Sequence, residues 1–290
     1  MRGNPREKSM RNSISEVMDS FRLNKHLKPI YQFSRKLYHY YYKNLCFWGM
    51  AAKRYLGFAD DKCTTIRAFK NIHEGRCFII ATGPSLTMVD LKKLEKEWTF
   101  GVNSICKVTK ELGWEPTYFG IQDQNVFESL KLDLDQLKKT TGFIGSTVNM
   151  EQNLPFNWCE YPLNLLNHQY TYDVFTSKFS KNSFLAVYDG YSVVYSMLQI
   201  AVYMGFKEIY LIGCDCTYSD DRNKQHFVET GVFDPTYKTA GERMIFAYKK
   251  AKQYADKNGI NIYNATRGGM LEVFPRVDLD DVLDLKERIL

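Results

Sequence analysis

Short apolar segments alternate with polar turns and helical patterns through the middle of the chain. Residues 77–81, 100–102 and 118–121 are mostly apolar runs, about twenty residues apart, and each ends at small or polar residues before a helix-like pattern begins. Strands separated by helices in this way are typical of parallel sheets. The pattern predicts an α/β fold with a Rossmann-like, mostly parallel sheet and helices on both faces.

The second half of the chain continues this pattern after a less regular stretch. Residues 140–187 are irregular and aromatic apart from a strand near 143–145, and they are predicted to form a lid or a small subdomain. Four further elements are then predicted: a helix at 192–204, a strand at 208–213, a helix at 240–258 and a strand at 261–264. The loop 217–239 is long for a compact domain, and such loops are commonly functional.

The N-terminal part follows a different pattern. Residues 1–13 are polar and charged, which predicts a disordered tail. In residues 14–74, apolar side chains recur at three- and four-residue steps among lysines, arginines and aromatic rings, which predicts a basic aromatic helical arm. The remaining residues, 75–290, are then expected to form the Rossmann-like, nucleotide-binding catalytic domain.

The mixture of basic and aromatic side chains in residues 14–57 suits the headgroup layer of an anionic membrane. The same pattern fits a helix that packs on the body of the protein or on a second subunit of a homo-oligomer. The arm is therefore expected to make one of these contacts.

Composition and charge narrow the class of protein. The 290 residues are 44% hydrophobic and 25% charged, as expected for a globular chain with a packed core. Residues 1–70 hold 15 Lys and Arg against 5 Asp and Glu, or +10, and the rest hold 24 against 28, or −4. Because the basic charge is confined to the arm and the body is acidic, nucleic acid is not an expected partner.

The cysteines and the apolar segments indicate where in the cell the protein is expected to be. The 7 Cys are odd in number, scattered and without a CxxC pair, and no signal-peptide core is recognisable, which predicts reduced thiols in the cytoplasm. The uncharged stretch 44–52 is much shorter than the roughly 20 residues of a membrane span. The expected location is the cytoplasm, including the inner face of the plasma membrane as a peripheral protein.

The candidate site lies at the carboxyl ends of the predicted strands, where open parallel sheets bind ligands. The residues predicted to bind a nucleotide there are Thr82, Gly83, Pro84, Ser85, Asn103, Ser104, Gln122, Asp123 and Asp215. Gly83 allows the backbone to approach a phosphate, and Ser85 lies near a helix N-terminus, which favours an anion. Asn103 is predicted to contact a ribose or base, or else to cap a helix.

Two further residues in the loop 217–239 are candidates for catalysis. His226 is the one histidine that the topology brings near this edge of the sheet, and an imidazole can deprotonate an acceptor hydroxyl. Tyr218 can donate a hydrogen bond to a leaving phosphate. Asp123 and Asp215 end different strands, so they either hold Mg²⁺ between them or, in the case of Asp215, accept hydrogen bonds that stiffen the loop.

Five segments in order resemble a known family: FIIATGPSL, FGVNSI, PTYFGIQDQNVFE, SVVYSMLQIAVYMGFKEIYLIGCD and INIYNATRGGMLEVFPRV. They are similar to the hydroxymethylpterin diphosphokinase MptE-like family. The same order of segments resembles the bacterial lipooligosaccharide sialyltransferases and the flagellin nonulosonate transferases. The resemblance covers about residues 76–278 and implies a Rossmann-like fold that binds a nucleotide.

The sialyltransferase resemblance implies an inverting glycosyltransferase that uses no metal cofactor. Its donor is a CMP-activated nonulosonic acid, and the acceptor here would be a hydroxyl of a surface polysaccharide or glycolipid. It implies that the nucleotide is bound by Gly83, Ser85, Asn103 and Ser192, with His226 as general base and Tyr218 beside the departing phosphate. The sequence departs from that pattern in four ways: Thr82 replaces an asparagine, one residue is missing beside it, Gly190 replaces an arginine, and no second tyrosine follows Tyr218 at the expected spacing.

Two alternatives come from other classes. The pterin branch implies transfer of diphosphate from ATP to a pterin alcohol, with Mg²⁺ as cofactor and Asp123 and Asp215 as its ligands. A non-catalytic nucleotide-binding module of a polysaccharide assembly complex would bind nucleotide without turnover and use the arm to bind its partner.

Overall fold

The computed structural model describes most of the chain, in the following ranges: 24, 26–58, 62–149, 157–166, 175–219, 221, 225–232, 234 and 236–287. The predicted tail and the first part of the predicted arm lie outside the described residues.

A seven-stranded sheet forms the centre of the molecule, and all its strand pairs are parallel. Its strands are β1 (Arg76–Ile80), β2 (Thr99–Val102), β3 (Tyr118–Ile121), β4 (Thr141–Gly145), β5 (Trp158–Tyr161), β8 (Glu208–Ile212) and β9 (Asn261–Asn264). A separate two-stranded sheet pairs β6 (Leu163–Asn164) with β7 (Val187–Tyr188). The spatial order of the large sheet is β5-β4-β3-β2-β1-β8-β9.

Helices cover both faces of the large sheet. The helices of the described residues are α1 (Lys28–Lys36), α2 (Lys43–Tyr55), α3 (Met88–Lys92), α4 (Thr109–Leu112), α5 (Gln124–Leu134), α6 (Val193–Met204), α7 (Tyr237–Asn258) and α8 (Leu279–Glu287). Of these, α3, α5, α6, α7 and α8 contribute side chains to the core on the two faces of the sheet. A π-helical segment, Leu37–Tyr42, joins α1 to α2, and 3₁₀ segments cover Lys62–Phe69 and Asn103–Val108.

The alternation of side chains along β1 explains the two layers. Cys77 and Ile79 belong to a core cluster that includes α6 and α7, whereas Phe78 and Ile80 belong to a cluster on the other face with α3, α5 and α8. Successive strand residues point to opposite faces, so a strand buried on both sides is apolar throughout. The predicted Rossmann-like α/β fold, with a parallel sheet and helices on both faces, is confirmed.

The order of the strands reverses between β1 and β8. From β1 the chain builds the sheet outward through β2, β3, β4 and β5, and it then returns to add β8 and β9 on the other side of β1. The loops that follow β1 and β8 therefore leave the sheet side by side and diverge. This is the topological switch point at which open α/β sheets form their ligand crevice.

The aromatic region 140–187 contributes more to the sheet than its pattern indicated. β5 extends the large sheet at its edge, and the 3₁₀ segment Lys62–Phe69 packs beside it, with Ile66 fully buried. The side chain of Phe69 also packs edge-on against Phe143. The last part of the predicted arm is therefore in contact with the body of the protein.

The helices α1 and α2 lie on the surface of the molecule. None of the helices in the described part of the chain combines the length and the hydropathy that a membrane span requires. One face of α2 contacts the body, where Arg54 Nη1 donates to the Phe184 carbonyl at 3.0 Å.

Candidate functional site

A cleft of about 550 Å³ opens at the switch point between β1 and β8. Its walls come from the loops after β1, β2, β3 and β8, from the N-terminal ends of α6 and α7, and from the loop 217–239. The volume is in the range of small-molecule sites, which are commonly about 300–1,000 Å³.

Nine of the twelve predicted site residues line this cleft: Thr82, Gly83, Asn103, Gln122, Asp123, Ser192, Asp215, Tyr218 and His226. The other three, Pro84, Ser85 and Ser104, are not among the lining residues. Ser104 is fully buried, and its hydroxyl donates to the Val228 carbonyl in the loop 217–239. The topology thus brings most of the predicted residues to one place, with Ser104 beneath the loop that covers it.

Gly83 makes the closest approach between the two sides of the switch point. Its backbone N–H donates to the Gly213 carbonyl at 2.9 Å. A Cβ at position 83 would lie 1.9 Å from Asp215 Oδ2 and 2.5 Å from the Gly213 oxygen. No side chain fits there without movement, so glycine at position 83 allows the loops after β1 and β8 to come into contact.

Asp215 is held by the loop after β1. Its Oδ2 accepts a hydrogen bond from Ser85 Oγ at 2.8 Å, and the residue is only 6% exposed. Burial raises the pKa of the Asp215 carboxyl, and the hydrogen bonds from Ser85 oppose that shift. Ser85 therefore acts through Asp215 and links the two loops that form the switch point.

A buried polar network orders the side of the cleft beneath β3. Gln122 Oε1 accepts from Ser196 Oγ at 2.6 Å and from the Tyr161 hydroxyl at 3.1 Å, and Gln122 Nε2 donates to Asp189 Oδ1 at 3.1 Å. The same Asp189 oxygen accepts the backbone N–H of Tyr191 at 3.0 Å. Gln122 therefore positions the loop that leads into α6.

Three predicted residues occupy the starts of helical segments. Asp123 caps α5 by accepting the N–H of Val126 at 3.0 Å, and Ser192 caps α6 by accepting the N–H of Val194 at 3.3 Å. Asn103 begins a 3₁₀ segment with φ +47°, a left-handed conformation that asparagine tolerates better than most residues. All three also line the cleft, so capping and ligand contact are compatible roles.

His226 and Tyr218 lie together in the cleft wall. Their ring centroids are 6.2 Å apart with the ring planes at 85°. Burial lowers the pKa of the His226 imidazole, and Glu229 and a hydrogen bond to the Thr82 backbone oppose that shift. Burial raises the pKa of the Tyr218 phenol. At neutral pH the cleft therefore presents a neutral imidazole beside a protonated phenol.

The segment after His226 is attached to the body at three consecutive residues. The N–H of Phe227 donates to the Thr82 carbonyl at 2.8 Å, Ser104 donates to the Val228 carbonyl, and Lys107 Nζ donates to the Glu229 carbonyl at 2.7 Å. These bonds fix His226 over the end of β1, although it belongs to a loop.

Arg243, on α7, is a lining residue that the sequence pattern did not single out. Its Nη2 donates to Thr236 Oγ1 at 2.7 Å, and its guanidinium lies over the Tyr191 ring, 5.4 Å from the centroid. Its Nε is buried and has no hydrogen-bond partner among the described residues. The helical pattern of the sequence predicts only that Arg243 belongs to a helix. Its position in the cleft wall follows from the packing of α7, which the sequence pattern does not predict.

The residues predicted to hold Mg²⁺ are engaged with protein groups. Asp123 caps α5 and Asp215 accepts from Ser85. Within the described ranges, no three His, Cys, Asp or Glu side chains converge as a set of metal ligands. The neighbouring thiols, Cys214 and Cys216, are both buried. These residues, as the structure describes them, do not form a preorganised cation site.

The fold and the cleft define a Rossmann-like α/β protein with a candidate ligand site at the switch point of its sheet. Residues 55–221, more than half of the chain, match the family model described as 6-hydroxymethylpterin diphosphokinase MptE-like. The chain therefore belongs to the MptE-like family, which confirms the resemblance seen in its sequence.

Two further comparisons complete this result. The solved structure of a MAf glycosyltransferase from Magnetospirillum magneticum AMB-1 is similar over 78% of this chain, with 16% sequence identity and a TM-score of 0.47. The similar region covers 40% of that protein. A comparison with curated proteins gives no match.

Proposed function

We propose that the chain transfers a sugar from a nucleotide-activated donor, a CMP-linked nonulosonic acid, to a hydroxyl of a surface polysaccharide or glycolipid. The observation that carries the proposal is the pairing of a neutral His226 with a protonated Tyr218 in the wall of the switch-point cleft. One group is suited to accept a proton and the other to donate a hydrogen bond, as a transfer to a hydroxyl requires.

In the proposed reaction, the acceptor oxygen attacks the anomeric carbon while the bond from that carbon to the phosphate oxygen breaks. The imidazole of His226 takes the acceptor proton, and the nucleotide monophosphate leaves with the electron pair. Attack opposite the leaving group inverts the configuration. A neutral imidazole has one ring nitrogen without a hydrogen, and this nitrogen can take the proton.

The departing phosphate needs hydrogen-bond donors and positive charge. The Tyr218 phenol supplies a donor, and Arg243 supplies a guanidinium with an Nε that has no partner in the described part of the chain. Arg243 is the one Lys or Arg among the described residues that line the cleft. A planar guanidinium suits phosphate oxygens, so we assign phosphate binding to Arg243.

Arg243 would also replace an arginine of the sialyltransferase pattern that this chain lacks. The arginine of that pattern is Gly190 in this chain, and a Cβ there would lie 2.2 Å from the Tyr195 ring. The packing leaves no room for a side chain at position 190. A guanidinium from α7 then takes over the task of an arginine before α6. The choice of CMP and of a nonulosonic acid rests on the sequence resemblance.

A second candidate function is diphosphate transfer from ATP to a pterin alcohol with Mg²⁺. The observation in its favour is the family description, which names a hydroxymethylpterin diphosphokinase. The third class, a non-catalytic nucleotide-binding module, predicts binding without turnover.

Thermal unfolding with a panel of nucleotides separates these functions, since a ligand that binds the native state raises the apparent stability. The panel contains CMP, CDP, UDP, GDP, ADP and ATP, each with and without Mg²⁺, and cytidine to isolate the phosphate. Stabilisation by CMP without metal, and release of CMP from a CMP-linked sialic acid in the presence of acceptor, support the sugar transferase. Stabilisation by ATP only with Mg²⁺ supports the diphosphokinase instead, and CMP binding without release supports the module.

The Arg243→Gln variant tests the phosphate assignment in the same panel. The wild type is expected to bind CMP about tenfold or more tightly than cytidine, since a hydrogen bond to a charged group contributes about 1.5–3 kcal/mol. The variant is expected to lose that difference while it binds cytidine as the wild type does. An unchanged preference for CMP would remove Arg243 from the phosphate site.

A further inference from the structure

The outward surface of α1, the π-helical segment and α2 carries an unusual concentration of apolar side chains. Twelve of the seventeen exposed large hydrophobic side chains in the described part of the chain lie between Ile30 and Phe58. Leu45 is 74% exposed, Leu56 is 63% exposed and Phe58 is 80% exposed. Contiguous apolar surface of this kind marks an interaction site, whereas single exposed side chains do not.

The inward face of α2 is already occupied, so the exposed face is a separate feature. Ala51 and Arg54 are buried against the body, and Asn44 accepts a hydrogen bond from Asn164 Nδ2 at 3.2 Å. These positions follow helical spacing along one side of α2. Leu45 and Leu56 lie on the other side, where a surface helix ordinarily carries polar residues.

Charge identifies the kind of partner. Residues 24–58 contain seven Lys and Arg and no Asp or Glu. Lys28, Lys43 and Lys53 are exposed beside the apolar side chains, and Lys43 Nζ lies 5.5 Å from the centroid of the Tyr38 ring. A second copy of this surface would bring like charges together, because a twofold contact uses the same patch on both subunits. A partner that is both apolar and negatively charged complements the exposed apolar side chains and the positive charge of this surface.

We propose that this surface, residues 28–58, docks on an anionic lipid bilayer. Aromatic and aliphatic side chains enter the headgroup region while lysines contact the lipid phosphates. Asn164, which holds Asn44, is followed by Leu165 in the cleft wall. The arm is thus bonded to a segment of the body that continues into the cleft wall. The inference does not depend on which reaction the cleft catalyses.

Co-sedimentation of the full chain with vesicles tests the proposal. Vesicles of phosphatidylcholine alone are compared with vesicles that contain about one third phosphatidylglycerol. We expect at least about tenfold stronger binding to the anionic vesicles, weakening as salt rises from about 0.1 to 0.5 M because exposed charges are then screened. Equal binding to both vesicle types, or no binding to either, would overturn the proposal.

Variants separate the two contributions. Leu45→Gln combined with Leu56→Gln is expected to reduce vesicle binding about tenfold or more, and Lys43→Gln combined with Lys53→Gln is expected to remove the preference for anionic lipid. Leu132→Gln and Lys131→Gln change matched exposed residues on α5 and are expected to bind as the wild type does. Thermal unfolding of each variant shows whether it is folded.

Light scattering distinguishes self-association. A wild type that forms dimers which the double leucine variant loses, without binding vesicles, would assign the surface to a homo-oligomer and overturn the lipid proposal. A monomer in solution that binds anionic vesicles supports it.

Discussion

Gly83 shows how a single residue sets the shape of the cleft. Its amide bonds to the Gly213 carbonyl, and the absence of a side chain lets Asp215 and the backbone of the opposite loop come within contact distance. The Gly83 N–H is therefore used to join the two loops and is already bonded within the protein. The two loops of the switch point therefore depend on one another for their geometry.

Replacing Gly83 with alanine is expected to disturb both stability and binding. The new Cβ would overlap Asp215 Oδ2 and the Gly213 oxygen, and overpacking of this kind costs about 1–3 kcal/mol. Urea unfolding measures that loss, and nucleotide titration is expected to show about tenfold weaker binding or more. Gly49→Ala is the control, because its Cβ meets nothing within 4 Å. Wild-type binding by Gly83→Ala would contradict the close-approach argument.

The role of His226 as general base predicts a specific pH profile. The His226→Gln variant is expected to lower kcat by about 10²–10⁴ with little change in nucleotide affinity. Burial lowers the pKa of His226 below its ordinary 6.5, so in the wild type kcat/KM is expected to rise with pH through a point below 6.5 as the ring becomes neutral. The variant is expected to lose that acid limb.

Exposed His26 provides the matched substitution for this test. The His26→Gln variant is expected to keep both the wild-type rate and the wild-type pH profile. An acid limb that persists in His226→Gln would assign the titration to another group and remove His226 from the reaction.

Among the elements, the described part of the loop 217–239 is held in place by hydrogen bonds to the body. Residues 227, 228 and 229 are each bonded to the body, two of them to groups on the 3₁₀ segment after β2. Ser104 is one of these two groups, and it is fully buried. Its hydroxyl acts on His226 through the loop backbone, which makes Ser104 a positioning residue.

Loss of the Ser104 hydroxyl is therefore expected to affect the rate more than the affinity. In Ser104→Ala the Val228 carbonyl loses its partner, and a small displacement of His226 is expected to lower kcat about tenfold or more, since misplacement by 1 Å can cost 10²-fold. Nucleotide affinity is expected to stay near the wild-type value. Hydrogen exchange at residues 226–229 is expected to become faster.

Ser129→Ala is the comparison, because Ser129 is exposed and bonds only within α5 in the described contacts. Equal loss of kcat and affinity in Ser104→Ala would indicate a general structural defect. Unchanged exchange in the loop would remove the positioning role.

The elements also show what the sequence was able to predict. β1, β2, β3 and β8 were predicted because a strand buried on both faces is a continuous apolar run that ends at a polar turn. The edge strand β9 was predicted from Ile262 and Tyr263 between polar residues. β5 was missed because Trp158–Tyr161 includes Glu160 and becomes a strand by pairing with β4. Its place at the sheet edge is a tertiary property that no local pattern carries.

The candidate site also contains residues that the sequence predicted and residues that it did not. Most strand-end residues were predicted to meet, and they do line one cleft, because the topology of a parallel sheet collects them. Ser104 was predicted beside the ligand and is instead buried beneath the loop, since the depth of a residue depends on what packs over it. Arg243 lies more than twenty residues beyond β8, and only the packing of α7 brings it to the cleft.

At the scale of the whole molecule, the basic residues are concentrated in the first part of the chain and the cleft is formed by the later part. The part after residue 70 has a net charge of −4 and contains the cleft, while residues 1–70 have a net charge of +10 and include the surface that we propose docks on lipid. An acidic body is repelled by an anionic bilayer, so attraction through the arm would orient the molecule as well as bind it. Orientation and attachment then come from the same charge asymmetry.

The stability of the whole fold is expected to depend on two partly buried histidines. Burial lowers the pKa of both His226 and His73, and His73 lies outside the cleft, stacked on Phe206. Below pH 6.5 the unfolded chain binds protons at these sites that the folded chain does not. The free energy of unfolding is therefore expected to fall as pH decreases from 6.5 toward the lowered pKa values, by at most about 1.4 kcal/mol per pH unit for each histidine.

Urea unfolding of the wild type and His73→Gln between about pH 7.5 and 5.5 measures this effect. The variant is expected to be less stable at neutral pH, because it loses its ring contacts, yet to lose less stability on acidification. Asp215 has the opposite effect on the free energy of unfolding. Its pKa is raised in the folded state, so this carboxyl stabilises the fold as pH falls through its folded-state pKa. Because wild type and His73→Gln share Asp215, its effect cancels when their slopes are compared. Equal slopes in the two proteins would show that His73 is not a source of the acid sensitivity, because the slope, unlike the stability at one pH, reports only on protons bound differently by the two states.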